Sequence, residues 1–117
     1  PGGWCYFDHK QTEKEDSVTI GGYTTTQKVY NYDPIPKELQ ANEMQYILGA
    51  QANVWTEYMA NEAKVEYMIF PRLSALSEVL WTNKEVKNYD NFKLRLATQT
   101  ERYKLWKANY YKGNLEK

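Results

Sequence analysis

The sequence predicts an α/β architecture with parallel strands that forms part of a barrel rather than a closed domain. Three observations lead there. Two short segments rich in strand formers, Trp4 to Asp8 and Ile47 to Glu57, each end in an aromatic residue and a carboxylate two positions apart. The second half of the chain switches to helical periodicity. The order strand, long loop, short helix, strand, helix, helix implies right-handed crossovers between parallel strands. Two parallel strands leave both edges unpaired and both faces uncovered, so the remaining strands are expected elsewhere. The start at Pro1-Gly2-Gly3 fits a piece cut from a longer protein.

Trp4-Cys5-Tyr6-Phe7-Asp8 reads as a short strand ending at Asp8, bounded by Gly and by a polar run. Tyr6 and Asp8 then share a face. Residues 10–33 are polar with Gly21-Gly22 and three threonines, a long loop in which only Val29 to Tyr32 looks extended. Loops beyond about 12 to 15 residues are usually functional or disordered, and Tyr23, Tyr30 and Tyr32 favour an ordered one. Asp33-Pro34-Ile35-Pro36 forces an extended turn, and a short helix from Lys37 to about Met44 follows it.

The apolar run from Ile47 to Val54 reads as the second, buried strand, with Gly49 allowing close backbone approach. At its exit Trp55 and Glu57 share a face, an indole for a pyranose ring and a carboxylate for its hydroxyls. A core tryptophan beside a solvated or ion-paired glutamate fits the same pair, as a strand-end cap beside a solvated tyrosine fits Tyr6 and Asp8. Two such exits side by side converge on one pocket, as at the C-terminal ends of strands in an α/β barrel.

Val65, Ile69, Leu73, Leu76 and Leu80 mark one helical stripe, interrupted by Pro71, where a kink or a new helix is expected. Thr82-Asn83-Lys84-Glu85 has capping-box spacing. Asp90 is a candidate N-cap for a last helix with the stripe Phe92, Leu96, Gln99, Tyr103, Trp106 and Tyr110, and Gly113 offers a stop. Both stripes are core signals rather than cofactor boxes.

The totals set the function classes. The 117 residues fit one small domain with one core at most. Fifteen basic and fifteen acidic residues cancel and no basic run restores a field, so nucleic acid is not an expected partner. No stretch reaches the roughly 20 apolar residues of a membrane span. The single Cys5 excludes an intramolecular disulfide and a thiolate metal site. With 4 Trp, 11 Tyr and 3 Phe the chain is unusually aromatic, which suits surfaces that bind sugars or proteins. No phosphate loop, metal-ligand spacing or Ser/His/Asp triad is present, so no cofactor is expected.

Pro1-Gly2-Gly3-Trp4-Cys5-Tyr6-Phe7-Asp8-His9, Ile20-Gly21-Gly22-Tyr23, Val29-Tyr30-Asn31-Tyr32-Asp33-Pro34, Gly49-Ala50-Gln51-Ala52-Asn53-Val54-Trp55-Thr56-Glu57-Tyr58 and Phe70-Pro71-Arg72-Leu73 through Trp81 resemble the β-N-acetylhexosaminidases of glycoside hydrolase family 20. The bacterial, chitobiase-like members resemble it most. The resemblance implies the last two strands and the closing helices of a (β/α)8 TIM barrel. Residues 1–58 are then two strands and a long substrate loop, and residues 59–117 the closing helices. It implies hydrolysis of terminal N-acetyl-hexosamine residues from glycans by substrate-assisted retaining catalysis. The family's catalytic Asp-Glu pair is adjacent in sequence, and no Asp here is followed by Glu, so no catalytic residue is expected on this chain.

By the same resemblance Tyr6 matches the tyrosine that hydrogen-bonds the acetamido oxygen, Asp8 and Glu57 the carboxylates that receive outer hydroxyls, and Trp55 a wall of the aromatic pocket. His9 reads as a supporting or surface residue. The family also suggests a periplasmic or secreted location. Alone, the chain is expected to be inactive and to self-associate or require the rest of the barrel. An independent carbohydrate-binding or protein-interaction module is the alternative, and it would have to cover its own strand edges.

Overall fold

The computed structural model of the chain describes residues 2–15 and 18–113, so Pro1 and two residues of the expected long loop, Asp16 and Ser17, lie outside the described residues. Among the described residues, five helices carry the fold: α1 (Gly2–Cys5), α2 (Thr26–Tyr30), α3 (Glu62–Ile69), α4 (Arg72–Trp81) and α5 (Tyr89–Trp106). Single 3-10 turns lie at Met44–Tyr46 and Lys84–Val86.

The two expected strands are reduced to one parallel bridge, Tyr6 with Asn53, and a second parallel bridge joins Lys10 and Tyr23. Trp4 and Cys5 belong to α1, while Phe7 and Asp8 form a turn. Residues 47–54 are irregular, with Leu48 96% exposed. The reason is the one that made a lone pair of strands implausible: each segment has one partner here, and a ladder needs neighbours on both sides. The bridge that does form is parallel, as expected.

Local chemistry accounts for the helices. Thr25 accepts a hydrogen bond from the Lys28 N–H at 3.0 Å and caps α2, which seats Val29 and Tyr30 in the core. The expected extended stretch at Val29–Tyr32 is thus helical up to Tyr30, because the cap and burial against α4 outweigh strand propensity. The helix expected from Lys37 to Met44 gives way to turns, since this stretch buries almost nothing.

Asn61 caps α3 through the Lys64 N–H at 2.9 Å. Of the two outcomes expected at Pro71, the chain takes the second: α3 ends, the Phe70–Pro71 bond is cis, and α4 begins at Arg72. The stripe itself is corrected. α4 buries Arg72, Ala75, Leu76 and Val79, a face at spacings of three, one and three, while Leu73 and Leu80 are exposed. Asn83, not Thr82, caps the turn after α4. Asn88, not Asp90, caps α5 by accepting from Asn91 N–H at 2.8 Å, which leaves Asp90 in the first turn beside the helix N-terminus. α5 buries Phe92, Leu96, Thr100 and Tyr103, while Trp106 is exposed. It ends at Lys107, whose left-handed φ of 58° lets Ala108 N–H reach the Tyr103 carbonyl at 2.9 Å, well before Gly113.

The core gathers Cys5, Phe7, Val29, Tyr30, Ala75, Leu76, Phe92 and Leu96, with Ala50, Ala52 and Val54 packed against it. It therefore lies between α2, α4 and α5 and directly beneath the two segments that bear the candidate site. No helix among the described residues is long and apolar enough to cross a membrane.

Candidate active site

The site is assembled from two backbone segments held in register. Asn53 donates its N–H to the Cys5 carbonyl at 2.9 Å and accepts the Phe7 N–H at 2.8 Å, bracketing Tyr6. Two residues further along both segments come Asp8 and Trp55, and then Glu57. These four residues line one open cleft of about 660 Å³, together with His9, Ile20 and the Gly21-Gly22 turn. The sequence-based expectation that the two exits converge on one pocket is met in this arrangement.

Within the cleft the four side chains differ in environment. Asp8 is 6% exposed, and its Oδ1 has no hydrogen-bond partner among the described residues. Trp55 is 55% exposed and Glu57 is also open to solvent. Tyr6 is half-buried, its ring stacked on that of His9 with centroids 5.7 Å apart. The imidazole also rests on Gly22, where an added Cβ would approach His9 Nδ1 to 2.5 Å, so the glycine makes room for the ring. His9 Nδ1 lies 3.3 Å from Thr24 Oγ1. His9 thus supports Tyr6 from behind.

Arg72 anchors this assembly. Its side chain is fully buried, and its five N–H groups are all used on backbone carbonyls. Nε and one Nη2 hydrogen go to Met68, at 3.0 and 2.5 Å. Nη1 donates to His9 and Thr24, each at 3.0 Å, and Nη2 donates to Phe7 at 2.5 Å. The guanidinium also lies over the Phe7 ring, 4.8 Å from its centroid. Burial pulls its pKa down to about 9, opposed by the negative charges of Glu15 and Asp8, so it stays protonated at neutral pH. One cation at the head of α4 therefore fixes the carbonyls on either side of Asp8 and the loop that carries Gly22.

A second charged group lies alongside. Glu15 accepts from Lys64 Nζ at 2.8 Å, and the Tyr67 hydroxyl donates to the same carboxylate at 3.4 Å. The Lys64 ammonium lies 4.4 Å from the Tyr67 ring centroid. This cluster joins the start of the long loop to α3.

The family described as glycosyl hydrolase family 20, catalytic domain, matches residues 1–84, which hold every residue of the cleft. The chain belongs to that family. Among curated family 20 relatives, it is 41% identical over 110 residues to a beta-hexosaminidase of Porphyromonas gingivalis, covering 93% of this chain and 14% of the relative. It is 30% identical over 107 residues to a beta-hexosaminidase of Akkermansia muciniphila, covering 92% and 21%. The chain therefore spans about a seventh to a fifth of the length of these relatives.

Solved family 20 structures superpose closely. The beta-N-acetylhexosaminidase from Streptomyces coelicolor A3(2) gives a TM-score of 0.82 at 26% identity over 99% of this chain and 24% of its own. The exo beta-N-acetylglucosaminidase from Vibrio harveyi, solved in complex with N-acetylglucosamine, also gives 0.82, at 29% identity over 95% and 18%. These neighbours are TIM-barrel enzymes, and the chain takes the shape of a part of them.

Sequence reasoning missed the role of Arg72 and the contribution of Lys64. For Arg72 a signal existed: it follows Met68 by four and precedes Leu76 by four, so a charge sits on the apolar face of a helix. A cation in that position demands acceptors inside the fold. Lys64 carried no comparable mark, because a lysine near a helix start reads as solvated.

Proposed function

We propose that this chain is the C-terminal part of the catalytic barrel of a β-N-acetylhexosaminidase, with residues 1–58 forming the substrate wall and residues 59–117 the closing helices. Its substrates are glycans with terminal N-acetyl-hexosamine residues. The observation that carries this reading is the convergence of Tyr6, Asp8, Trp55 and Glu57 on one open cleft in a chain of family 20.

Each residue has a role suited to an uncharged sugar. The exposed Trp55 indole offers a flat face for the pyranose ring. Asp8 and Glu57 accept hydrogen bonds from its outer hydroxyls, and charged acceptors make such bonds strong. Tyr6 donates to the acetamido oxygen, and its stack on His9 holds the hydroxyl in one direction. Hydrolysis is substrate-assisted: the acetamido oxygen attacks the sugar's own anomeric carbon while a glutamic acid outside this chain protonates the departing glycosidic oxygen. An aspartate next to that acid steadies the acetamido group, and water then opens the cyclic intermediate with net retention. By fixing the acetamido oxygen beneath the anomeric carbon, the Tyr6 O–H contributes through orientation of the nucleophile.

The test is turnover of a chromogenic N-acetylhexosaminide by the full-length enzyme and by this chain alone. Activity of the full-length enzyme that vanishes in the isolated chain supports the reading. A full-length protein without such activity, or an isolated chain that only binds the sugar tightly, would favour a carbohydrate-binding module instead.

A further inference from the structure

Among the described residues no group hydrogen-bonds the Tyr6 hydroxyl, so the packing around its ring sets its direction. The ring stacks on the His9 imidazole, with centroids 5.7 Å apart and planes 25° from parallel. It also lies against Gly2, where an added Cβ would stand 3.5 Å from Tyr6 Cε2. A stacked ring that could itself turn would hold nothing, so the direction of the phenol depends on what fixes His9.

Thr24 fixes it. This threonine is fully buried, its N–H donates to the Lys10 carbonyl at 2.7 Å, and its hydroxyl donates to the Gly3 carbonyl at 3.2 Å. A hydroxyl has one proton to give. With that proton spent on Gly3, the 3.3 Å contact between Thr24 Oγ1 and His9 Nδ1 requires the imidazole to donate. His9, when neutral, is therefore the Nδ1–H tautomer. The backbones of both residues are set by one nitrogen, since Arg72 Nη1 donates to the His9 and Thr24 carbonyls at 3.0 Å each. Gly22, at a left-handed φ of 74°, closes over the edge of the imidazole that carries Nδ1. A buried hydroxyl costs free energy unless its hydrogen bonds are made, and here one is given to Gly3 and one is received from His9.

We propose that Thr24 and His9 are positioning residues for Tyr6: Thr24 locks the imidazole in one plane as the Nδ1–H tautomer, and that plane holds the phenol toward the cleft. Thr24 is not part of the cleft lining, so it acts through His9. A hydroxyl on the long loop thereby governs a tyrosine on the first site-bearing segment. This inference rests on the hexosaminidase reading of the cleft.

The experiment is a double-mutant cycle on the full-length enzyme, read as kcat and KM for a chromogenic N-acetylglucosaminide. Thr24→Val removes only the hydroxyl from a side chain of the same shape and lowers kcat about fivefold, with a smaller change in KM. Thr24→Ser restores kcat. In a Tyr6→Phe background Thr24→Val has no further effect, because the hydroxyl it positions is already gone. A fall of the same size in both backgrounds, or an unchanged kcat in Thr24→Val, would overturn the proposal and leave the hexosaminidase reading intact. A neutron structure of the wild-type enzyme tests the same chain of contacts without any variant: a deuteron on His9 Nδ1 supports it, and a bare Nδ1 overturns it. Failure of wild type to turn over the sugar removes the hexosaminidase reading, and the positioning role with it.

Discussion

Tyr6 and Asn53 face each other as the parallel bridge that ties the two site-bearing segments, with Asn53 hydrogen-bonded to the residue on each side of Tyr6. The bridge sets the direction of the phenol relative to Asp8 and Trp55. Tyr6→Phe keeps that backbone pairing and removes only the hydroxyl. In the full-length enzyme it is expected to lower kcat by more than it raises KM, because an acetamido group no longer held in position attacks less often. Steady-state kinetics decide, and a pure KM effect would make Tyr6 a ground-state contact.

Asp8→Ala and Glu57→Ala remove charged acceptors. Each is expected to cost about 1.5 to 3 kcal/mol of transition-state binding, a fall of roughly 10- to 150-fold in kcat/KM. Wild-type kcat/KM in both variants would show that this face does not meet the substrate.

Arg72→Met leaves four carbonyls, three of them buried, without their donor. At about 1 to 3 kcal/mol per unsatisfied group, the loss is expected to exceed about 3 kcal/mol. The urea midpoint followed by far-ultraviolet circular dichroism measures it. Arg72→Lys retains the charge but not the five-donor fork and should fall between the two.

Arg95 hydrogen-bonds Glu78 at 2.5 and 2.8 Å and thereby holds the Glu78 carboxyl below its ordinary value of 4.5. A lowered folded-state value means that the unfolded chain binds the proton first as pH falls. The pair's contribution is therefore complete above about pH 4.5 and is lost as pH falls through the lower folded value. Arg95 is half exposed, so the contribution is at most about 1 kcal/mol and falls with salt. Arg95→Gln should lower the urea midpoint at pH 7, and its difference from wild type should shrink as pH falls below about 4.5.

The isolated chain is expected to hydrolyse no hexosaminide and to self-associate. Tyr46, Leu48, Trp81, Leu94 and Leu105 are exposed apolar surface, and the bridged segments present open backbone edges. Light scattering decides: a monodisperse monomer with cooperative unfolding would refute the expectation.

The convergence of the two exits was legible because its signals are short-range. An aromatic and a carboxylate two apart at the end of an apolar run can be read from three residues, and both exits do reach one cleft. Pro71 likewise announced the α3–α4 break. What was not legible depended on partners distant in sequence. The strand propensity of Trp4 to Asp8 is real, but a ladder depends on neighbouring strands. Leu73 and Leu80 continue an apolar stripe, yet the face that turns inward is chosen by Arg72 and its carbonyls up to 65 positions away.

The buried guanidinium also sets an order of events. The Phe7, His9 and Thr24 carbonyls acquire their common donor only when the first turn of α4 docks, so the cleft wall and the α4 N-terminus belong to one cooperative unit. Opening of that turn releases the wall, whereas fraying at the far end of α5 leaves it in place. Amide protons of Phe7 and Asn53 should accordingly exchange with solvent together with those of the first α4 turns, as a single kinetic class, and the cleft exists only for as long as that class stays closed.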